Sequence, residues 1–568
     1  MQIESQASFE GVTALHRLPP PPEHFTGREA ELRELKAAVQ EKRLTCLSLS
    51  GADGVGKTAL AVLLAHELAA SYPDAQWYYE ESVTGPPAAT VALQHIFHTY
   101  DPNGALPEGQ ADLQAAFGRA LHGRRALVIC DNVKSGERLD LLSPPAGCLM
   151  LVTSRQRLPL PEQHALALDR LPQAQAQEFL LRLAPRIGKV SGEIAELCGG
   201  LPLALRLAGS VLAKRRDLEP AEYADRLLAE QWDQTQLDEA QAALALSYSL
   251  LPSAAQRYWR QLAAFPGEFG LAAAAAVWAL DVDETRQVIS ELLDYAVVSR
   301  NRKSNRFRLP DLARVAAKSR LGTGEGKETR QRHSAHYVKV LEIADQMVVK
   351  GGDGRNLGLG LFDMEHSNIV AGQAWAAAYA PGDPAAAQLA CAYPTAGAQV
   401  LSERQTARVR TDWLDTAARA AQRLGDQNAE SLILSKLGSA YRRQGQPRRA
   451  IDYYERHLRA ARELGDRRGE GVALGNLGLA YAELGNARRA IAYYQQHLRI
   501  AREMDDRRSE ARTSWNLGLA YEELGDLALA IAAMQICVDF ERAVGHPDAA
   551  ADAAIIEQLR ARRVGGTG

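Results

Sequence analysis

A glycine-rich stretch, GADGVGKT, carries the residues of this sequence best suited to phosphate chemistry. It runs from Gly51 to Thr58, after the apolar residues CLSL and before an apolar helical run. Glycines let a loop curl so that its backbone N–H groups surround a phosphate, and the following helix adds the positive end of its dipole. Lys57 can then reach the β- and γ-phosphates, and the Thr58 hydroxyl can hold Mg²⁺. The spacing predicts a phosphate-binding loop for a nucleotide.

Two later apolar runs end in side chains that suit the same site. ALVICDNV reaches an acid at Asp131, and CLMLVTSR ends in Arg155. An acid at the carboxyl end of a strand in a nucleotide-binding sheet lies beside the phosphates and binds Mg²⁺ through water. An arginine there can touch the γ-phosphate. Taken singly, the two residues also fit a turn acid and a solvated arginine. The predicted catalytic residues are Lys57, Asp131 and Arg155.

Composition limits the class of protein. The chain has 568 residues and a net charge of −3, enough for roughly three to five domains and without a strong field for nucleic acid or an anionic membrane. Six scattered cysteines without a C-x-x-C pair argue against zinc or a disulfide framework. No apolar run approaches the roughly 18 residues of a membrane span, and the N-terminus lacks the features of a signal peptide. We therefore predict a cytoplasmic protein.

Strand-like and helical segments alternate from Phe25 to about Leu168. Such alternation predicts a parallel sheet covered by helices. Residues 170–235 are predicted to be helical, and residues 236–322 to hold helices followed by an arginine-rich hairpin, VVSRNRKSNRFRL. The strand-like segments are 44–50, 75–80, 125–130, 149–153 and 164–168.

The C-terminal part repeats itself with a period of 40 residues. LGSAYRRQGQPRRAIDYYERHL, LGLAYAELGNARRAIAYYQQHL and LGLAYEELGDLALAIAAMQICV begin at Leu437, Leu477 and Leu517. A helix pair repeated at such a period is the signature of a solenoid. The pattern resembles the tetratricopeptide repeat in a 40-residue variant. A degenerate unit is predicted to begin near residue 388, and a capping helix to cover Asp548–Arg563.

Three further stretches are FTGRE, CGGLPLALRLAG and FRLPDLARVAA. With GADGVGKT, LVICDN and LVTSR, in this order, they resemble the NB-ARC module of STAND ATPases, a group that includes plant disease-resistance receptors and bacterial regulators with tetratricopeptide repeats. The resemblance implies an α/β P-loop nucleotide-binding domain plus a helical domain and a winged helix, followed by an all-α tetratricopeptide-repeat solenoid. The implied boundaries are 1–24 for an N-terminal tail, 25–169 for the nucleotide-binding domain, 170–235 for the helical domain, 236–322 for the winged helix, 323–387 for a helical arm and 388–568 for the repeats with their capping helix.

The resemblance also implies a role for single residues. Phe25 and Arg28 would flank the adenine and ribose, and Pro202 would pack on the adenine from the helical domain. Arg155 would sense the γ-phosphate, while Thr58 and Asp131 would hold Mg²⁺. The residues implied to bind ATP or ADP are Phe25, Arg28, Gly54, Val55, Gly56, Lys57, Thr58, Ala59, Pro202, Pro310 and Asp311.

Two residues depart from the family pattern. Asn132 stands where the family has a second acid, and an amide cannot take a proton from water as a carboxylate can. Pro310 stands where the family has a histidine that touches the β-phosphate of ADP, and proline has no N–H donor. We therefore expect at most a slow ATPase. Any lock on the closed state would rest on Asp311, on neighbouring backbone or other contacts, or partly on the repeats.

Together these features predict a signal-transduction switch. ADP would hold a closed monomer, and an inducer protein or peptide on the repeats would drive exchange for ATP and assembly of a homo-oligomer. Asn476 and Asn516 are predicted to face the groove of the repeats, where an amide can hydrogen-bond a peptide. Ordinary solvated positions fit these two residues equally well.

The alternative function is an ATP-dependent transcription regulator that binds DNA through its winged helix, with the basic hairpin on the phosphates. Only about 24 residues precede FTGRE, where the family usually has an effector domain. Three explanations stay open: a separate effector protein recruited by this tail, loss of a domain from a longer chain, or output by assembly itself. Nucleic acid and membranes are not among the leading expected partners.

Overall fold

The computed structural model describes ten stretches of the chain, and they divide between two compact units, Met1–Trp375 and Ala376–Gly568. Most of the predicted N-terminal tail, residues 1–17 and 23–24, lies outside the described residues. Among the helices of the described stretches, none combines the length and apolar character needed to cross a bilayer. The described residues are 18–22, 25–42, 44–81, 88–100, 110–134, 139, 144–158, 163–233, 238–302 and 304–565.

A five-stranded parallel sheet forms the centre of the first unit. Its strands are β1 (Cys46–Ser50), β2 (Ala75–Glu80), β3 (Ala126–Val133), β4 (Leu149–Ser154) and β5 (Gln163–Ala167). Their order across the sheet is β2-β3-β4-β1-β5, and every pairing is parallel. β1 and β4 are buried along their whole length, as expected where helices cover both faces of a sheet. The predicted α/β fold is confirmed, and the carboxyl ends of all five strands meet at one edge.

In its described residues, the nucleotide-binding domain has the helices α1 (Glu29–Lys42), α2 (Lys57–Leu68), α3 (Ala88–Tyr100) and α4 (Gln110–Leu121). α2 and α3 pack on the sheet, α1 packs on α2, and α4 packs on α3. The apolar core under α3 and α4 includes the fully buried rings of Trp77 and Phe117. Burial of each such side chain stabilises the fold by roughly 1.5–3 kcal/mol, which holds the strand ends in place.

The helical domain follows β5 directly. Its helices are α5 (Gln173–Leu183), α6 (Ser191–Leu197), α7 (Pro202–Lys214) and α8 (Pro220–Asp233). α7 begins at a proline, whose fixed φ and missing N–H suit the first position of a helix. Because Gly200 has a φ of 63° and an added Cβ would lie 2.5 Å from the Leu171 carbonyl oxygen, only glycine fits the turn before α7.

The predicted winged helix, called the hairpin domain below, consists of α9 (Glu239–Ser249), α10 (Ser253–Gln261), α11 (Leu271–Trp278), α12 (Val282–Asp294), β6 (Ser299–Asn301), β7 (Arg306–Arg308) and α13 (Asp311–Arg320). α9 and α12 each begin at a capping box, with Asp238 and Asp281 as the N-caps. β6 and β7 form the predicted arginine-rich hairpin, and Phe269 adds an antiparallel bridge to Phe307.

Two long helices, α14 (Thr323–Lys350) and α15 (Asp353–Tyr379), continue the chain. His333 of α14 is 2% exposed and packs between the rings of Phe265, edge-to-face at 5.1 Å, and Tyr337, tilted at 4.7 Å. Glu365 of α15 accepts two hydrogen bonds from the guanidinium of Arg306 in β7, at 2.6 and 2.9 Å. The arm therefore packs against the hairpin domain through an aromatic cluster and one buried ion pair.

Acid is expected to destabilise this arm. Burial lowers the pKa of His333 from 6.5 to about 3. A folded-state pKa below the unfolded value means that the stability is complete above pH 6.5 and is lost as the pH falls towards 3. The loss is up to about 1.4 kcal/mol per pH unit. Urea unfolding at about pH 7.5 and about pH 5.5 measures it. His333→Gln should reduce the pH dependence, and the exposed His122→Gln should not; equal slopes in the two variants would contradict the prediction.

The second unit is entirely helical in its described residues. Its helices are α16 (Pro384–Ala396), α17 (Ala398–Arg404), α18 (Ala407–Leu424), α19 (Gln427–Arg443), α20 (Pro447–Leu464), α21 (Arg467–Glu483), α22 (Ala487–Glu503), α23 (Arg507–Glu523), α24 (Leu527–Val544) and α25 (Ala549–Gly565). From α18 onward each helix packs on the next. Asp426, Asp466 and Asp506 cap the first helix of each pair by accepting a backbone N–H bond. The predicted helical solenoid is confirmed.

Gly478→Ala is expected to destabilise the repeats by about 1–3 kcal/mol. A Cβ at this position would lie 2.3 Å from Cε1 of Tyr494, a ring that is 2% exposed and has no room to move. The midpoint of urea unfolding, followed by far-ultraviolet circular dichroism, should fall. Gly360→Ala is the control, since a Cβ there meets no atom within 4 Å. A similar midpoint for both variants would show that the helices at Gly478 and Tyr494 pack less tightly than the structure indicates.

Candidate nucleotide-binding site

The loop after β1 has the backbone conformation of a phosphate cradle. Gly51, Gly54 and Gly56 have φ values of 147°, 78° and 98°, a region that other residues rarely adopt. A Cβ on Gly51 would also lie 2.6 Å from the Leu168 carbonyl oxygen. Gly56 is the N-cap of α2. Because the first N–H groups of a helix have no partner within it, the loop and the start of α2 offer N–H donors to a phosphate.

Lys57 lies over this loop at the first position of α2. Its Nζ donates hydrogen bonds to the carbonyl oxygens of Gly51, at 2.9 Å, and Ala52, at 2.8 Å. Burial lowers the pKa of Lys57, and the nearby carboxylates of Asp53 and Asp131 oppose this shift. Val55 is buried within the loop, and Ala59 is half-buried in the first turn of α2.

Asp131 is the most heavily hydrogen-bonded acid of the site. Its Oδ1 accepts from Thr58 at 2.8 Å and from Thr153 at 2.5 Å, and its Oδ2 accepts from the Tyr78 hydroxyl at 2.8 Å. The structure therefore brings together the two predicted Mg²⁺ ligands, Thr58 and Asp131. A hydroxyl and a carboxylate beside a phosphate cradle are the oxygen donors that Mg²⁺ prefers, so the residues present fit the ion.

Asn132 joins the sheet edge to the hairpin domain. The pairing of β3 with β4 is irregular between Cys130 and Val133, where Asn132 adopts a φ of 59° and donates its N–H to Thr153 Oγ1 at 2.9 Å. Its side-chain Nδ2 donates to Asp311 Oδ2 at 2.5 Å. Pro310 is the N-cap of α13, and Asp311 forms an ion pair with Arg314 one turn later. The residue that departs from the family's second acid is thus the partner of the predicted lock residue Asp311.

A second contact between the same domains involves residues that sequence reasoning missed. Arg308 of β7 forms an ion pair with Glu80 at the end of β2 and donates to the Tyr78 hydroxyl at 3.2 Å. Burial raises the pKa of Glu80 to about 7, and Arg308 opposes that rise. The sequence offered one signal for a functional role, which is that Tyr78 and Glu80 lie at the end of a predicted strand. Nothing in the sequence around them indicates that Arg308 is their partner.

Arg155 lies at the rim of the loop. Its guanidinium forms an ion pair with Asp53 of the glycine-rich loop at 2.9 Å, and its side chain is 63% exposed. An exposed ion pair of this kind contributes little to stability, about 0–1 kcal/mol. The arginine can therefore leave Asp53 at small cost, and its role as a γ-phosphate sensor stays a prediction.

The Gly-Leu-Pro-Leu turn rests directly on the phosphate loop. The Leu203 N–H donates to the Gly54 carbonyl oxygen at 3.2 Å. A Cβ on Gly54 would lie 3.0 Å from Leu203 Cβ, and one on Gly56 would lie 3.9 Å from Pro202 Cγ. Pro202 is consequently beside the cradle, and its packing on the adenine stays a prediction.

The FTGRE stretch, at the start of α1, also contacts the glycine-rich loop. Arg28 is 6% exposed, forms an ion pair with Glu31 at 2.8 Å, and donates to the carbonyl oxygens of Val55, at 3.4 Å, and Asp169. Its guanidinium thus ties α1 to the loop and to the end of β5. Phe25 is half-buried just before α1. The predicted contacts of Phe25 and Arg28 with adenine and ribose stay predictions.

In the repeats, Asn476 and Asn516 lie at the same register of α21 and α23 and are both half-buried. Within residues 304–565 neither side-chain amide has a recorded hydrogen bond. Their proposed contact with a peptide stays a prediction.

Comparison with known proteins gives likenesses for both units. The family model described as Tetratricopeptide repeat matches residues 430–503 and 469–539. The regulatory protein AfsR of Streptomyces coelicolor is 34% identical over 344 residues, which cover 56% of this chain and 34% of AfsR. An uncharacterized protein of Mycobacterium tuberculosis is 26% identical over 371 residues, 58% of this chain and 88% of that protein.

One solved structure is a STAND protein with a tetratricopeptide repeat sensor from Pyrococcus horikoshii. It aligns with a TM-score of 0.45 and 16% identity over 95% of this chain and 87% of that one. The predicted resemblance to proteins with tetratricopeptide repeats is confirmed by the family model. The chain spans about a third of the length of the AfsR proteins it matches.

Proposed function

We propose that this chain is a signal-transduction nucleotide switch of the STAND type. ADP holds it closed, and an inducer on the repeats promotes exchange of ADP for ATP and assembly of a homo-oligomer. The convergence of three domains at one edge of the sheet supports this most directly. The helical domain bonds to Gly54 through Leu203, and the hairpin domain bonds to Asn132 through Asp311. A nucleotide in the cradle would lie where all three meet, which is the arrangement that a ligand-controlled switch needs.

The residues of the site suit retention of a nucleotide better than rapid turnover. Lys57 orients the phosphates, and Thr58 and Asp131 hold Mg²⁺, which supplies positive charge beside the phosphates when bound. Asn132 offers an amide, already bonded to Asp311, where a general base would be needed. Hydrolysis of ATP would therefore be slow. Arg155 would contact the γ-phosphate and so sense its presence.

The structure supports the DNA-binding alternative less well. Arg306 and Arg308, the last two arginines of the basic hairpin, face inward onto Glu365 and Glu80. Arg300 donates to Asn305 within the hairpin. A wing that contacts DNA needs its cations free for phosphates, and two of these already form ion pairs with Glu365 and Glu80.

The remaining partners follow from the switch. The repeats would bind the inducer protein or peptide, with Asn476 and Asn516 on the contact face, and the N-terminal tail would recruit the effector. ADP-bound chains would be monomers in the cytoplasm, and ATP-bound chains would oligomerise.

Denaturing the purified protein and identifying the released nucleotide tests the proposal. We expect ADP at close to one molecule per chain and a steady-state ATPase rate below about 0.1 s⁻¹, against roughly 10 s⁻¹ for a typical enzyme. An absence of nucleotide together with fast turnover would overturn the switch.

A gel-shift assay at moderate salt tests the DNA-binding alternative. Specific retardation of DNA would favour that alternative over the switch.

A further inference from the structure

Tyr78 links the predicted magnesium acid to the hairpin domain. It lies in β2, whose Glu80 pairs in register with Asp131 of β3. Its hydroxyl donates to Asp131 Oδ2 at 2.8 Å and accepts from Arg308 at 3.2 Å. The chain Arg308–Tyr78–Asp131 is therefore a continuous set of donors and acceptors.

Arg308 can reach this position only while the hairpin domain lies against the sheet. Its neighbour Phe307 pairs with the backbone of Phe269 through two bonds of 2.8 Å and is 6% exposed, which fixes β7 within the hairpin domain. Successive side chains of a strand point to opposite faces, so anchoring Phe307 also sets the direction of Arg308. Any movement of the hairpin domain away from β2 would withdraw this guanidinium.

The acids at the sheet edge need a positive charge nearby. Glu80 is half-buried and Asp131 is 1% exposed, and a buried carboxylate without a counter-charge is costly. In this structure the guanidinium of Arg308 bonds directly to Glu80 and reaches Asp131 through one hydroxyl. A bound divalent cation would neutralise the same carboxylate.

We propose that Arg308, acting through Tyr78, adds to Lys57 a second positive charge near Asp131 while the hairpin domain is docked, so that this contact and Mg²⁺ are alternatives. Tyr78 is a positioning residue, because it acts through Asp131 rather than on the nucleotide. Docked chains then retain ADP without Mg²⁺. Since coupling between two ligands of one site is reciprocal, Mg²⁺ at Asp131 weakens docking by the same factor by which docking weakens the ion. The inference rests on the proposed nucleotide switch and adds a role for the metal in it.

Release of a fluorescent ADP analogue from the full chain, with Mg²⁺ or with EDTA, tests this. In the wild-type protein the rates should differ by less than about twofold. In Tyr78→Phe, which keeps the ring and removes the donor, EDTA should speed release by about tenfold or more, the range expected for one lost hydrogen bond to a charged group. Arg308→Gln should behave like Tyr78→Phe, and Arg308→Lys, which keeps the charge, should stay close to wild type.

Tyr79→Phe is the matched control. Tyr79 is the next residue of β2, and its hydroxyl bonds to His95 Nδ1 at 2.6 Å instead of to Asp131. This variant should show the wild-type response to EDTA. Equal EDTA sensitivity in wild type, Tyr78→Phe and Tyr79→Phe would overturn the inference and leave the switch intact. A wild-type chain that fails to bind the ADP analogue under either condition would overturn the proposed function and this inference with it.

Discussion

Asn132→Asp is expected to release the hairpin domain from the sheet. The amide that now donates to Asp311 at 2.5 Å would become a second carboxylate facing the first. Two like charges at about 4 Å repel by about 4 kcal/mol at the effective dielectric of a protein surface, and the lost hydrogen bond adds about 1 kcal/mol more. The variant also restores a carboxylate where a general base would stand, so a faster ATPase is expected together with the open shape.

Small-angle scattering and limited trypsin digestion measure the first effect, and phosphate release measures the second. Asn132→Ala is the matched control, because it removes the hydrogen bond without adding charge and should open the chain less. The exchange Asn132→Asp with Asp311→Asn restores one amide and one carboxylate at the contact and should recover part of the closed shape. If Asn132→Asp stayed as compact and as trypsin-resistant as the wild type, the contact between Asn132 and Asp311 would not be what holds the hairpin domain against the sheet.

Lys57→Ala is expected to weaken ADP binding by about 100-fold, which corresponds to about 3 kcal/mol for a lost charge-assisted contact with phosphate. The lysine is at the start of α2 and is held over the loop by the Gly51 and Ala52 carbonyl oxygens. It is therefore already placed for a phosphate in the cradle. Its removal should also reduce compactness, since the nucleotide would no longer bridge the three domains.

Isothermal titration calorimetry on protein stripped of nucleotide gives the affinity. Lys36→Ala provides the comparison, because Lys36 is an exposed lysine paired with Glu67 at 3.0 Å in α1 and α2, outside the loop. It should bind ADP as the wild type does. Unchanged affinity and compactness in Lys57→Ala would remove the nucleotide from the centre of the proposed mechanism.

The phosphate loop and the repeats were predictable because their signals are local. The spacing of Gly51, Gly54 and Gly56 before a lysine encodes a loop conformation, and the observed φ values are those that glycine alone adopts readily. The repeats were predictable because small residues recur at fixed register; Gly438 and Gly478 each leave room for one tyrosine ring of the next helix. Patterns of this kind lie within a few dozen residues and follow from backbone and helix geometry.

The sequence by itself therefore determined the α/β domain, the phosphate cradle, the pairing of Thr58 with Asp131 and the helical solenoid. Only the tertiary structure decided that Asn132 meets Asp311, 179 residues away, and that Arg308 meets Glu80, 228 residues away. Those contacts depend on how separately folded domains pack, and a side chain at a strand end or in a hairpin carries no mark of its distant partner. The same packing turned Arg306 and Arg308, which the sequence left open to DNA, onto the carboxylates of Glu365 and Glu80.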